Sequence, residues 1–259
     1  MKKTIQLLFF TFLFYGIINA QQQNTSNELT GKWVKLDHSG PIALEFKPNG
    51  TAEVDFGNDQ NIDVVTGYET DGNAIKFIDK EGAMCQRPGI YKLEKNKYYL
   101  SFDLVDDMCN GRIKMTMGFW TKPNFEEIIA ELSQNISDTE SPDMYLTRAR
   151  IKMALGKSKE AKDDLDIYIE KNPDDARALI NRAGTRFPFP EQIEDAIDDC
   201  NRAIQLEPGN KNAYFMRGLA LYNLGQKEKA CEDFSKAIDL GFSILRIAEK
   251  QRCAEFWKE

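Results

Sequence analysis

The sequence predicts a two-domain chain, β then α, in which a small antiparallel β-barrel is followed by an array of helical hairpins. Three observations carry this reading. From Leu29 to Lys122 apolar and polar residues alternate in strand-like runs broken by turn signals. Past Pro123 the spacing of apolar residues changes to about 3.6. From Pro142 onward the pattern recurs at a period of about 34 residues. A chain of 259 residues has room for two domains, each with its own core.

The chain opens with a separate segment. Lys2 and Lys3 precede a mostly apolar run, Ile5 to Ile18, and Asn19-Ala20 leads into three glutamines. The run falls short of the roughly 20 residues that cross a bilayer. Its basic start, apolar core and small-residue exit predict a secretory signal peptide over residues 1–20. No cysteine follows to accept a lipid. Residues 21–28 read as a polar, disordered leader, 29–122 as the barrel, 123–141 as a linker helix and 142–259 as the array with its C-terminal cap. The mature chain is therefore expected to be exported, to the periplasm, cell surface or extracellular space, with no transmembrane segment.

Loss of Lys2 and Lys3 takes the formal charge from −7 to −9. An acidic protein does not suit nucleic acid, whose phosphates require a basic face. Export also places the five cysteines in an oxidising compartment, where disulfides are the default.

Eight strands are expected: Lys32–Leu36, Ile42–Phe46, Thr51–Phe56, Ile62–Tyr68, Ala74–Ile78, Ile90–Leu93, Tyr98–Leu104 and Arg112–Trp120. Asn49-Gly50 and Asp71-Gly72 supply hairpin residues that tolerate positive φ, and 94–97 is a polar connection. Eight short strands joined by hairpins can close into a barrel, which removes exposed edges. Cys85 and Cys109 flank the hairpin formed by residues 90–104, so a bridge between them would tie two loops at one barrel end.

Gly31-Lys32-Trp33 opens the first strand as the Gly-x-Trp motif opens lipocalin-like barrels. The stretch from Cys85 through Cys109 to Thr121 also resembles small lipocalin-like domains of bacterial secreted proteins. The resemblance implies that Trp33 plugs one barrel end, with Arg112 over its ring.

Phe125–Leu132 begins an amphipathic helix, which Asn135 to Pro142 ends. Beyond it, Tyr145, Ala149, Gly156, Ala161, Leu165 and Pro173 mark a first copy of the repeat, and Tyr214, Gly218, Gly225, Ala230, Phe234 and Ala237 a third. Leu179, Ala183, Ala196, Cys200, Ala203 and Pro208 mark the second copy, in which Phe187-Pro-Phe-Pro190 replaces the usual turn. These residues resemble the signature of the tetratricopeptide repeat, and they identify three hairpins. Phe242 to Trp257 would then be the capping helix such arrays require.

Arg148 with Asp164, Arg182 with Asp199 and Arg217 with Asp233 recur at the same repeat positions. A row of arginines could clamp an acidic ligand. The recurrence of an aspartate with each arginine favours internal bracing instead. The resemblance implies a concave groove lined by Leu146, Arg150, Met153, Arg177, Ile180, Asn181, Phe215, Leu219, Tyr222 and Asn223, a mixture that suits an extended peptide or a helix. It also implies that Cys231 and Cys253 lie on packed helices and can bridge, leaving Cys200 a buried thiol; pairing of Cys200 with Cys231 is the alternative.

Catalysis finds little support. The one histidine, His38, lies in a polar turn, so imidazole metal sites are excluded, and Asp103, Asp106 and Asp107 lack EF-hand spacing and read as a solvated rim. No phosphate-binding glycine loop or Gly-x-Ser-x-Gly occurs. The expectation is a non-enzymatic adaptor that needs no cofactor and binds a protein or peptide. The alternative is a barrel that carries a small apolar ligand, with the repeats as its docking module.

Overall fold

The computed structural model describes residues 29–37, 40–79, 85, 87–109, 112, 116, 118–139, 141–242, 253, 254 and 256. The expected signal peptide, leader, His38 and most of the expected capping helix lie outside these residues. The chain divides into two compact units, Met1–Phe125 and Glu126–Glu259.

The first unit is a closed antiparallel barrel in simple meander order: β1 (Gly31–Asp37), β2 (Gly40–Phe46), β3 (Thr51–Phe56), β4 (Val64–Asp71), β5 (Ala74–Asp79), β6 (Gly89–Lys95), β7 (Tyr99–Asp106) and β8 (Gly118–Thr121). The turns have local causes. Gly50 adopts φ +78° after Asn49, whose Oδ1 accepts from the Thr51 amide at 3.1 Å. Asn96 Oδ1 accepts from the amides of Tyr98 and Tyr99 between β6 and β7.

Alternate residues of the strands fill the interior. Trp33, Phe46, Phe77, Tyr91, Phe102 and Trp120 are buried in one cluster with Ile42, Leu44, Val54, Ile75, Leu93 and Leu100. The rings meet at 4.8 Å for Phe46 and Tyr68, 5.8 Å for Phe77 and Tyr91, and 6.5 Å for Phe102 and Trp120. A barrel of this size is filled by its own side chains.

Two expectations for the barrel change. The eighth strand is Gly118–Thr121 alone, because Arg112 and Thr116 sit in helical backbone ahead of it. The cation over Trp33 is Lys122, with Nζ 3.6 Å from the ring centroid, and not Arg112. Arg112 is buried elsewhere: Nε donates to Asp107 Oδ2 at 2.6 Å, Nη1 to Asp79 Oδ2 at 2.8 Å and Nη2 to the Arg87 carbonyl at 2.6 Å. Two carboxylates and a carbonyl fix the guanidinium at this site, away from the Trp33 ring.

The seam is built from one motif used twice. Gly31 and Gly118 both adopt φ +112°, a backbone that favours glycine. Two residues on, Trp33 Nε1 donates to Leu29 O at 2.8 Å and Trp120 Nε1 to Thr116 O at 2.9 Å. β1 and β8 pair at Val34 and Thr121, and the lysines cross over: Lys122 covers Trp33, while Lys35 lies 5.0 Å from the Trp120 ring.

The second unit contains α1 (Phe125–Thr139), α2 (Pro142–Ala154), α3 (Ser158–Lys171), α4 (Ala176–Arg186), α5 (Ile193–Leu206), α6 (Lys211–Asn223) and α7 (Lys227–Asp239). Pro142 starts α2, where its missing N–H costs nothing. Asp175 and Asn210 cap α4 and α6 by accepting from Ala178 N and Ala213 N. Gly156 and Gly225, at φ +71° and +77°, end α2 and α6. The Phe187–Pro190 corner runs into a 3₁₀ turn, Pro190–Gln192, before α5, and both helices of this hairpin are kept.

Candidate peptide-binding face and its bracing

The hairpins α2/α3, α4/α5 and α6/α7 close through small residues. Gly218 lies so near Phe234 that a Cβ there would stand 2.7 Å from the ring. Ala149 and Ala183 hold the equivalent positions opposite Leu165 and Cys200, which are smaller than phenylalanine.

Each arginine braces its own hairpin and ties it to the preceding helix. Arg148 Nε and Nη2 grip Asp164 at 2.9 and 2.5 Å, Arg182 grips Asp199 at 2.9 and 2.6 Å, and Arg217 grips Asp233 at 2.7 and 2.7 Å. The remaining Nη1 reaches back to the preceding helix: to Ser133 Oγ on α1 at 2.9 Å, to Asp166 Oδ1 on α3 at 2.9 Å and to Asn201 Oδ1 on α5 at 2.8 Å. Lys152 adds a second cation on Asp164 at 2.8 Å, and Arg186 Nη1 adds one on Asp199. Leu221 stands at that position in the third hairpin. The arginine row is therefore internal structure. Burial opposes the charge on Arg182, and the hydrogen bonds it donates to Asp199 and Asp166 outweigh it, so its pKa rises.

α1 follows the second helices in register. Ile128, Leu132 and Ile136 are its buried residues, Ser133 fills the acceptor position of Asp166 and Asn201, and Glu126 pairs with Lys157 on α3's N-terminal side at 3.0 Å.

Six of the ten residues expected to line the groove fall into two sets, the first of which also takes in Met216. Leu146, Met153 and Met216 pack with Ile180 around a shared core, and the methyl ends of Met153 and Met216 converge on Gly184, at 3.6 and 3.3 Å from where its Cβ would stand. Phe215, Leu219 and Tyr222 pack around Leu221, Phe234 and Cys231. Phe215 stacks on Phe242 with ring centroids 4.4 Å apart, so its face is already occupied by the chain itself. Arg150 is buried, and Arg177 and Asn223 are exposed. The Asn181 amide nitrogen is buried with no hydrogen-bond partner among the described residues.

Met216 and Gly184 were not among the expected lining residues. Gly184 follows Arg182 by the same two residues that separate Arg150 from Arg148 and Leu219 from Arg217, so the repeat register held the signal.

Cys231 is bonded to Cys253 and Cys85 to Cys109, with Cα separations of 5.5 and 5.6 Å, and Cys200 is a buried free thiol. Burial pushes the Cys200 pKa up to about 12, so it carries no thiolate chemistry near neutrality. Asp107 is not a solvated rim residue. Its carboxylate accepts from Arg112, from the Cys109 amide at 2.8 Å and from the Tyr91 hydroxyl at 2.5 Å. Burial would raise the Asp107 pKa, but these donors hold it below the ordinary range. No group of three metal-ligating side chains occurs among the described residues.

Comparison with known proteins agrees on the helical unit. Tetratricopeptide-repeat profiles match residues 146–187 and 212–241. The human mitochondrial import receptor subunit TOM70 is 30% identical over 148 residues, covering 54% of this chain and 24% of the receptor. Human tetratricopeptide repeat protein 13 is 28% identical over 116 residues, covering 44% of this chain and 13% of its own length. The chain thus spans a quarter or less of these two relatives. Among solved structures, a crystal structure of MamA superposes with a TM-score of 0.48 at 21% identity, covering 58% of this chain and 86% of that one. Tetratricopeptide repeats therefore build the helical unit of this chain.

Proposed function

We propose that the protein is an exported, non-catalytic adaptor that binds a peptide or an extended protein segment along the first-helix face of its repeats. The observation that carries this reading is an apolar strip with one unsatisfied donor. Leu146, Met153, Ile180 and Met216 stand side by side, and the Asn181 amide nitrogen beside Ile180 lacks a partner. A buried donor left unpaired costs about 1–3 kcal/mol, and a backbone carbonyl of an extended ligand would satisfy it once neighbouring side chains move to uncover it. Methionines suit such a face because they repack around different side chains.

The matched family is a repeat family, and no enzyme family is indicated. Export is supported by the signal-like first 20 residues and by two disulfides. The filled barrel interior argues against the carrier alternative, which needs a ligand cavity.

The test is a peptide-display selection against the full chain, repeated with a Met153→Glu, Tyr222→Ala variant that keeps the wild-type melting temperature. Peptides enriched by the native chain and lost with the variant are expected. Equal enrichment by both removes the groove assignment. Export is checked separately by mass analysis of the cell-derived protein, which is expected to begin at Gln21; an intact Met1 refutes it.

A further inference from the structure

The far end of the β3–β4 hairpin combines three features that the groove does not use. Phe56, Ile62 and Val65 are exposed to 41%, 48% and 43%, among the most exposed large apolar side chains described. Val65 lies on β4 opposite Glu53, and the loop that joins Phe56 to Ile62 is held rigid. The buried Asp55 carboxylate accepts from the amides of Asp59 and Gln60 at 3.1 and 2.9 Å, and Asp63 Oδ2 accepts from the Phe56 amide at 2.6 Å. The ladder ends at Val54 and Val64, where the Asp63 amide donates to the Val54 carbonyl at 2.9 Å, so Phe56 at the end of β3 and Ile62 just before β4 lie at the same end of the barrel. The third feature is charge. Residues 55–63, at the hairpin end itself, contain no lysine or arginine but hold Asp55, Asp59 and Asp63. The nearest lysines in sequence are engaged, Lys47 with Glu45 and Glu53 at 2.9 and 3.2 Å, and Lys76 with Glu69 at 3.4 Å.

Apolar side chains fixed in water by a preorganised loop are a pattern of binding surfaces, since the ordering is complete before a partner arrives. The acidic surround then selects the sign of that partner.

We propose that this hairpin end docks a partner protein through a segment in which lysine or arginine side chains flank apolar ones. Phe56 and Ile62 receive the apolar residues. Asp59 faces the cations, and its hydrogen bonds from Asn61 lower its pKa below the ordinary aspartate value.

The probe is a fluorescein-labelled amphipathic peptide of lysine and leucine, titrated against the full chain by anisotropy beside a counterpart with glutamate for lysine. The lysine peptide is expected to bind and the glutamate peptide not. Phe56→Ser with Ile62→Ser should weaken binding by about tenfold or more, the equivalent of 1.4 kcal/mol. Asp59→Asn should weaken it less and flatten its salt dependence. Both variants alter exposed side chains, so an unchanged melting temperature checks the fold. Tyr222→Ala, on the repeat face, should leave this binding intact, which separates the proposal from the groove reading. Unchanged affinity in the Phe56→Ser, Ile62→Ser variant overturns it, as does equal binding of the glutamate peptide. Self-association, or binding to anionic vesicles, that this variant abolishes would assign the surface to a second copy or a membrane and overturn it equally.

Discussion

Removal of the Asp199 carboxylate should cost far more than removal of its counterpart Asp233, although both occupy the same repeat position. Asp199 accepts from Nε and Nη2 of Arg182 and from Nη1 of Arg186. Asp199→Ala leaves Arg182 with Asp166 alone, and leaves Arg186, 7% exposed and already with an unsatisfied Nε, with only the Asp195 carbonyl as a hydrogen-bond acceptor. Breaking one side of a buried ion pair costs about 3–5 kcal/mol. Asp233 serves Arg217 alone, which is 25% exposed at its side chain and keeps Asn201 as a partner. The loss there is that of charged hydrogen bonds, about 1.5–3 kcal/mol. The third hairpin also suggests the rescue, since Leu221 stands where the second has Arg186. Adding Arg186→Leu to Asp199→Ala should recover at least about 1 kcal/mol by removing the orphaned cation. Urea unfolding of the full chain, followed at 222 nm where the helices dominate, reads all four proteins. Equal costs for the two aspartates, or no rescue by Arg186→Leu, would refute the argument that cation count sets the energy.

Three other outcomes follow from the barrel. Replacing Cys85 and Cys109 by alanine opens a loop between residues 24 apart and should cost roughly 3.5 kcal/mol in the chain-entropy model, read as a lower urea midpoint by tryptophan fluorescence. Asp107 has a depressed pKa in the folded state, so its contribution is present above the ordinary aspartate value of about 3.9 and is lost as pH falls below it. Asp107→Asn should therefore lower stability at pH 7 and flatten the acid limb of the stability curve; an unaltered limb counts against it. Lys122→Ala should destabilise the barrel more than Lys35→Ala, because its ammonium lies at 3.6 Å from a ring rather than 5.0 Å, with a difference of about 0.5–1 kcal/mol. Equal midpoints would show that the two contacts do not differ.

Most of the architecture was legible because periodicity is local. Seven of the eight strands and both helices of every hairpin were readable from alternation, turn residues and repeat register. The eighth strand was over-read because residues 112–118 alternate like a strand, whereas Arg112 has to reach Asp79 and Asp107, which no local pattern reveals. The same non-local demand misassigned the cation over Trp33. The bracing by arginine was legible, since matched spacings imply matched contacts. Stacking of Phe242 on Phe215 was not, because it joins a residue just beyond the last repeat helix to a residue of the face. The duplicated Gly-x-Trp-x-Lys, at Gly31–Lys35 and Gly118–Lys122, was present in the sequence and needed only to be compared with itself.

That duplicated seam bears on how the chain acquires its structure. Each repeat hairpin can form from residues near in sequence, with Arg148 finding Asp164 only 16 positions away. The barrel cannot close until β8 exists, because Val34 waits for Thr121, and each tryptophan stays uncovered until the lysine of the other strand arrives. Loop closure over such a span is slow relative to local pairing. A chain synthesised from its N-terminus would thus present seven strands with two open edges for as long as the last strand is delayed. During that interval the first unit, and not the repeats, is the part most in need of protection from association with other chains.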